Sequence, residues 1–138
     1  MADKYILDAC ALLALVYRET GDDVVKSTLD LANSNKADVY MHVINFYEAY
    51  YDIVRSKGLQ QADAVFDMLL KSSVRIIDGI SAPVLRQGAQ LKARYRMSLA
   101  DSILLAQAIE LDAIVTTADH HELDAVDKNE AINFNWIR

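Results

Sequence analysis

The stretch YILDACALLALVY, residues 5–17, decides how the rest of the chain is read. YIL (5–7) is a short apolar run that ends in Asp8, and ALLALVY (11–17) follows with helical character. A strand that passes within a few residues into a helix opens a β-α unit, and Asp8 then sits at the strand's carboxyl end. Working outward, the same alternation repeats. DDVVKSTLDLAN (22–33), preceded by Gly21, spaces Val24, Val25, Thr28, Leu29 and Leu31–Ala32 as one helical face. DVYMHV (38–43) predicts a second strand, and INFYEAYYDIVRSKG (44–58) a helix that Gly58 terminates.

Residues 60–72 predict an amphipathic helix with Val65, Phe66, Leu69 and Leu70 facing inward, and VRII (74–77) a short β-branched strand. Ser81, with Pro83 in the next turn, opens a helix through about Tyr95, with Gly88 weakening its middle. Ser98 caps a helix over 99–111, AIVTT (113–117) predicts a strand, and Asp119 starts a short turn or helix. INFNWI (132–137) predicts a last strand. Strands alternating with helices imply an α/β architecture: a central, mainly parallel sheet with helices on both faces, three layers in all, as one domain over residues 1–138. Ligands of such sheets lie outside the carboxyl ends of the strands.

Composition narrows the function classes. The chain is 53% hydrophobic and 25% charged, which suits a packed domain and not a disordered one. The start MADKYILDAC lacks the basic lead of a secretory signal, and no apolar run is long enough to span a bilayer. A single cysteine, Cys10, excludes an internal disulfide and fits a reducing cytoplasm, the expected location. With no CxxC and no Cys/His cluster, structural zinc is not expected. A net charge of −6 argues against a broad nucleic-acid-binding surface but leaves room for a basic rim around an acidic, cation-filled centre.

Four acids carry the chemistry. Asp8 ends the first strand and is suited to cap the following helix. Asp119 emerges two residues after the strand AIVTT, with Glu122 at capping-box spacing. Asp101 stands at capping-box spacing from Ser98, in a first helical turn that favours an acid. Glu48 lies inside a helix, where capping does not account for it; a solvated face with Arg55 two turns on is the ordinary reading. Taken singly, the first three are helix caps. Taken together, a parallel sheet brings all four to one edge, where crowded carboxylates repel unless protonated or neutralised. A hard divalent ion, Mg²⁺ or Mn²⁺, is the natural neutraliser, and such a site suits phosphodiester hydrolysis.

YILDACALLAL, INFYEAYYDIVR, SLADSILLAQA and IVTTADHHE, in that order, resemble the four motif blocks of PIN-domain ribonucleases. The chain is most similar to the VapC-type toxins of toxin–antitoxin pairs. The resemblance covers nearly the full length and implies a PIN-like fold acting as a metal-dependent endoribonuclease. Asp8, Glu48 and Asp101 match the core metal-binding acids. Asp119 matches the fourth, more variable acid, and Thr117 the hydroxyl residue two places before it. Cys10 stands where the family commonly has Ser, Thr or Asn, and a thiol is a weak hydrogen-bonding partner. The resemblance also implies an RNA substrate, a cognate antitoxin and a homodimer; no membrane partner is expected, since no apolar run is long enough to span a bilayer.

Around the acids, Arg55, Arg94 and Arg96 are candidates for a phosphate-gripping rim, with helix-end neutralisation as the plainer role. The aromatics of FYEAYY (46–51) pack a helix by default, with base stacking open to an exposed tyrosine. His120 and His121 are expected at the surface and His42 as a structural residue. A second function class is a catalytically silent PIN-like module that binds RNA or protein; the intact acids weigh against it. A nucleotide-binding domain fits poorly, since neither GxGxxG nor GxxxxGK[ST] occurs.

Overall fold

A computed structural model describes residues 2–138. Strand β1 (Asp3–Leu7) runs directly into α1 (Ala9–Tyr17), with Asp8 as the hinge between them. Helix α2 (Asp22–Asn33) leads to β2 (Ala37–His42), and α3 (Val43–Lys57) follows. Gly58, in the left-handed region at φ 94°, ends α3 and begins α4 (Leu59–Lys71). Then come β3 (Arg75–Ile77), α5 (Ala82–Arg94), α6 (Leu99–Leu111), β4 (Ile114–Thr117), α7 (His120–Asn129) and β5 (Phe134–Trp136). The expected strand–helix alternation is present throughout, with element ends displaced by a residue or two.

The strands form one five-stranded sheet in the order β3-β2-β1-β4-β5, and every pairing among them is parallel. The chain builds outward from β1 to β3 and then returns to the other side of β1 with β4. The order therefore reverses between β1 and β4, the place where an open parallel sheet offers a ligand crevice at its strand ends. Asp8 follows β1 there and Thr117 ends β4.

Successive residues of β1 serve opposite faces, as pleating requires. Leu7 packs into a core with Leu12, Val25, Met41, Phe46 and Ile53, whereas Ile6 packs into a second core with Leu91, Leu104, Val115 and Leu123. The first lies under α1–α4, the second under α5–α7. That is the three-layer α/β/α arrangement. Within it, α6 is buried all the way round, from Asp101 to Ala108. A helix enclosed by neighbours shows no apolar stripe, which is why its sequence is apolar on every side. Gly88 on α5 lets that helix approach: a Cβ there would sit 3.3 Å from the Ser102 carbonyl oxygen.

Two expectations change. The segment after Asp119 is a full ten-residue helix, held by Leu123 and Val126 in the second core. On α4 the inward face is Ala62, Val65 and Leu69, while Leu70 is 61% exposed and Phe66 39% exposed. Helix α4 packs chiefly on α3, at the outer side of the first core, so its buried stripe is narrow. Phe66 packs on Phe46 in a tilted, edge-to-face arrangement with ring centroids 5.2 Å apart.

Candidate active site

The carboxylates gather at the crevice between β1 and β4. Asp8 is 3% exposed. Its Oδ1 accepts the Ala11 backbone N–H at 2.8 Å, so it does cap α1, and its Oδ2 accepts the Thr117 hydroxyl. Cap and site are thus served by different oxygens of one side chain. Burial outweighs both hydrogen bonds and holds the Asp8 carboxyl up at about 7, with the charges of Asp119 and Glu48 adding to the rise.

Asp101 is 8% exposed. Its N–H donates to the Ser98 hydroxyl at 3.1 Å, the first half of the expected capping box. The second half is taken by a different acid: the Ser98 N–H donates to Glu122 Oε2 at 3.4 Å. Asp101 is left to face Glu122, carboxyl against carboxyl. Burial, then contact with Glu122, raises Asp101 far above the usual carboxylate range, while Glu122 is lowered. As pH falls, the more deeply buried Asp101 is the member of the pair that takes up a proton first.

Asp119 accepts the Glu122 N–H at 3.3 Å and so caps α7, and its own N–H donates to Thr117 Oγ1 at 3.0 Å. Thr117 thereby receives from one acid's backbone and donates to another acid's carboxylate, fixing Asp119 against Asp8. Asp101, Asp119 and Glu122 each offer an oxygen, and these three atoms lie within 4.8 Å of one another. Glu48 stands at the exposed rim on α3. Partial desolvation raises its carboxyl, with the charges of Glu122, Asp119 and Asp52 acting in the same direction.

Cys10 registers this convergence. Its thiol is pushed up to about 12, first by burial and then by the charges of Asp8, Asp119, Asp101 and Glu48 together. Four acids from distant parts of the chain act on one sulfur atom. Such a thiol stays protonated and is a poor nucleophile.

An all-oxygen donor set drawn from α6, the β4–α7 junction and α7 suits a hard divalent cation. So does the electrostatics, since the pocket otherwise holds protons to remain tolerable. The match to a family model confirms the kind of protein that builds this pocket: the PIN domain model matches residues 5–129. The chain belongs to the PIN-domain family. Solved structures agree on the fold at low identity. This PIN domain is similar to the VapBC2 structure from Rickettsia felis, bound to a DNA fragment from its promoter, at TM-score 0.76 and 18% identity, covering 96% of this chain and 97% of that one. It is similar to the DNA-bound VapBC of Salmonella typhimurium at TM-score 0.76 and 14% identity, with both chains fully covered. A third, the VapC20 toxin of Mycobacterium tuberculosis, described as cleaving the sarcin–ricin loop, aligns at TM-score 0.70 and 17% identity over 88% of this chain and 94% of that one. No curated protein sequence matches the chain.

The basic residues are mostly engaged elsewhere on this PIN domain. Arg55 pairs with Asp52 at 3.5 Å and lies over the Tyr51 ring, and Arg94 pairs with Glu130 at 3.5 Å. Arg96 is exposed in the α5–α6 link. His42 is buried and caps α3 through Nδ1, while His120 stacks on Trp136 with ring centroids 3.9 Å apart. Sequence reasoning missed Glu122 as a member of the acidic set. Its spacing from Asp119 accounted for it as a cap, and only the packing of α7 against α6 carries its side chain to Ser98 and Asp101.

Proposed function

We propose that the protein is a divalent-cation-dependent endoribonuclease and the toxin of a toxin–antitoxin pair. The observation that carries this reading is the convergence of Asp8, Glu48, Asp101 and Asp119, joined by Glu122, at the strand ends, in surroundings that make their charge costly. Asp101, Asp119 and Glu122 would hold a Mg²⁺ or Mn²⁺ ion, with Asp8 and Glu48 flanking it. Bound there, a divalent cation supplies charge neutralisation, acidification of water and polarisation of a phosphodiester.

The chain's own residues do the rest. Thr117 aims the Asp8 carboxylate by donating to Oδ2, leaving the Ala11 N–H to hold Oδ1. Burial and contact with Glu122 favour the protonated form of Asp101, so arrival of positive charge at the pair favours release of that proton. Glu48 lies at the exposed rim of the site. No side-chain nucleophile is required, and Cys10 is not one.

An RNA strand is proposed as substrate, a cognate antitoxin and a second copy of the chain as protein partners, the cytoplasm as location, and residues 1–138 as a single nuclease domain. Solved relatives described as toxin–antitoxin complexes support the antitoxin. Among the described residues no helix is long and apolar enough to cross a membrane. The test is cleavage of single-stranded RNA by the purified chain with added Mg²⁺ or Mn²⁺, compared with Asp8→Asn and Asp101→Asn. Cutting by wild type and loss in both variants supports the proposal; equal cutting by all three identifies a contaminant and removes it.

A further inference from the structure

Helix α3 shows an exposed aromatic pair that neither the core nor the acidic set uses. Phe46, Ala49 and Ile53 point into the first core, whereas Tyr47 is 68% exposed and Tyr51 51% exposed. They are four residues apart, so they share one helix face, and Glu48 lies between them in sequence. Across from them stands Leu99, 62% exposed at the start of α6. Ile44, Tyr47, Tyr51 and Leu99, with the acids Glu48 and Asp52, line an open recess of about 470 Å³ that Ser98 and Ala100 close. That volume lies within the range of about 300–1,000 Å³ common to small-ligand sites.

We propose that this recess is a stacking subsite for an unpaired nucleobase of the RNA strand. Its position selects the occupant. It shares Glu48 with the acidic centre, and its α6 wall ends one residue before Asp101, so whatever fills it is continuous with whatever reacts beside those acids. Beside the acids Glu48 and Asp52, the walls are two phenol rings and the side chains of Ile44 and Leu99, which accept a flat, neutral ring, and every base has such a face. Beyond Tyr51 the Arg55 guanidinium lies 5.3 Å from the ring centroid and pairs with Asp52, so it offsets the charge of that acid at the recess. A duplex keeps its base faces stacked internally and does not present them, so the subsite takes only single-stranded or looped RNA. The inference rests on the endoribonuclease reading for the identity of its ligand, but not for the tyrosine platform itself.

The test uses the full chain and a short single-stranded oligoribonucleotide carrying one aminopurine base, whose emission falls when its ring stacks. The same oligonucleotide annealed as a duplex is the control. Wild type should quench the single strand and not the duplex. Tyr47→Ala and Tyr51→Ala should each weaken binding about tenfold, whereas Tyr47→Phe and Tyr51→Phe should stay within about twofold, because stacking needs the ring and not the hydroxyl. Both tyrosines are exposed, and unchanged thermal midpoints confirm that the variants fold. Undiminished emission with wild type, or equal affinity in wild type and the alanine variants, overturns the subsite. A change in molecular mass on Tyr47→Ala with unaltered strand affinity makes the face a contact between copies of the chain, and overturns it too. Cleavage of the same strand is scored separately. Stacking without cleavage defeats the nuclease reading and leaves the subsite standing; cleavage with equal KM in wild type and the alanine variants does the reverse.

Discussion

The metal-free protein should lose stability as pH rises from acid to mildly alkaline conditions, and Asp8→Asn should remove much of that loss. An ordinary aspartate titrates near 3.8 and Asp8 at about 7. Between these values the folded chain keeps a proton that the unfolded chain has released, so every step up in pH favours unfolding. Below 3.8 both states hold the proton and the cost vanishes; above about 7 it is complete. At roughly 1.4 kcal/mol per pH unit, the gap amounts to about 4 kcal/mol at pH 8. Asp101, raised by burial and by Glu122, acts in the same direction. Asparagine at position 8 keeps one oxygen to cap α1 and turns an amide N–H donor toward the Thr117 hydroxyl oxygen in place of the second carboxylate oxygen, and it carries no charge to desolvate. Thermal unfolding followed by circular dichroism in EDTA, from pH 5 to pH 8, reads the effect. Wild type should fall steadily across that range, and Asp8→Asn should be flatter and higher at pH 8 by on the order of 10 °C. Stability of wild type that rises with pH, or an Asp8→Asn variant less stable than wild type at pH 8, would refute the reasoning.

Three further outcomes follow from neighbouring contacts. Thr117→Val removes the hydroxyl that donates to Asp8 and accepts from Asp119, and should cost about 1.5–3 kcal/mol at pH 8 by urea unfolding, less at pH 5 where Asp8 is protonated. Asn45 is 2% exposed; its Nδ2 donates to the Ala100 carbonyl at 3.1 Å, while its Oδ1 is buried without a partner. Asn45→Leu should therefore leave stability unchanged or raise it by about 1 kcal/mol, yet loosen α3 against the first turn of α6 and weaken Mn²⁺ binding. The Cys10 thiol, pushed up to about 12, should resist alkylation by iodoacetamide at pH 8 in the native chain and react readily in urea.

Local chemistry explains what the sequence revealed of this molecule. The β1–α1 passage at residues 5–17 was legible because a three-residue apolar run, a capping acid and a helical run follow one another without interruption. Asp8, Glu48, Asp101 and Asp119 were legible because three of them sit at element ends that a parallel sheet must align. Other features depend on which elements pack together, and no periodicity encodes that. Glu122 looked fully employed as a cap partner of Asp119, and its bond to Ser98, 24 residues away, depends on α7 docking beside α6. Leu70 matched an inward stripe but faces outward, because α4 leans chiefly on α3. Helix α6 has no polar face to read, since α3, α5 and the sheet surround it. Tyr47 and Tyr51 belong to the same aromatic run as the core residue Phe46, and only the direction α3 takes across the sheet separates them.

The central claim is that these acids form a cation site whose occupancy displaces the protons now held there. Calorimetric titration of the wild-type chain with Mn²⁺ at pH 7, in two buffers of different ionisation heat, tests it most directly. Saturable binding with release of protons, weakened at least about tenfold by Asp101→Asn, is the predicted result. Binding without proton release, equal binding by Asp101→Asn, or no binding at all would contradict it.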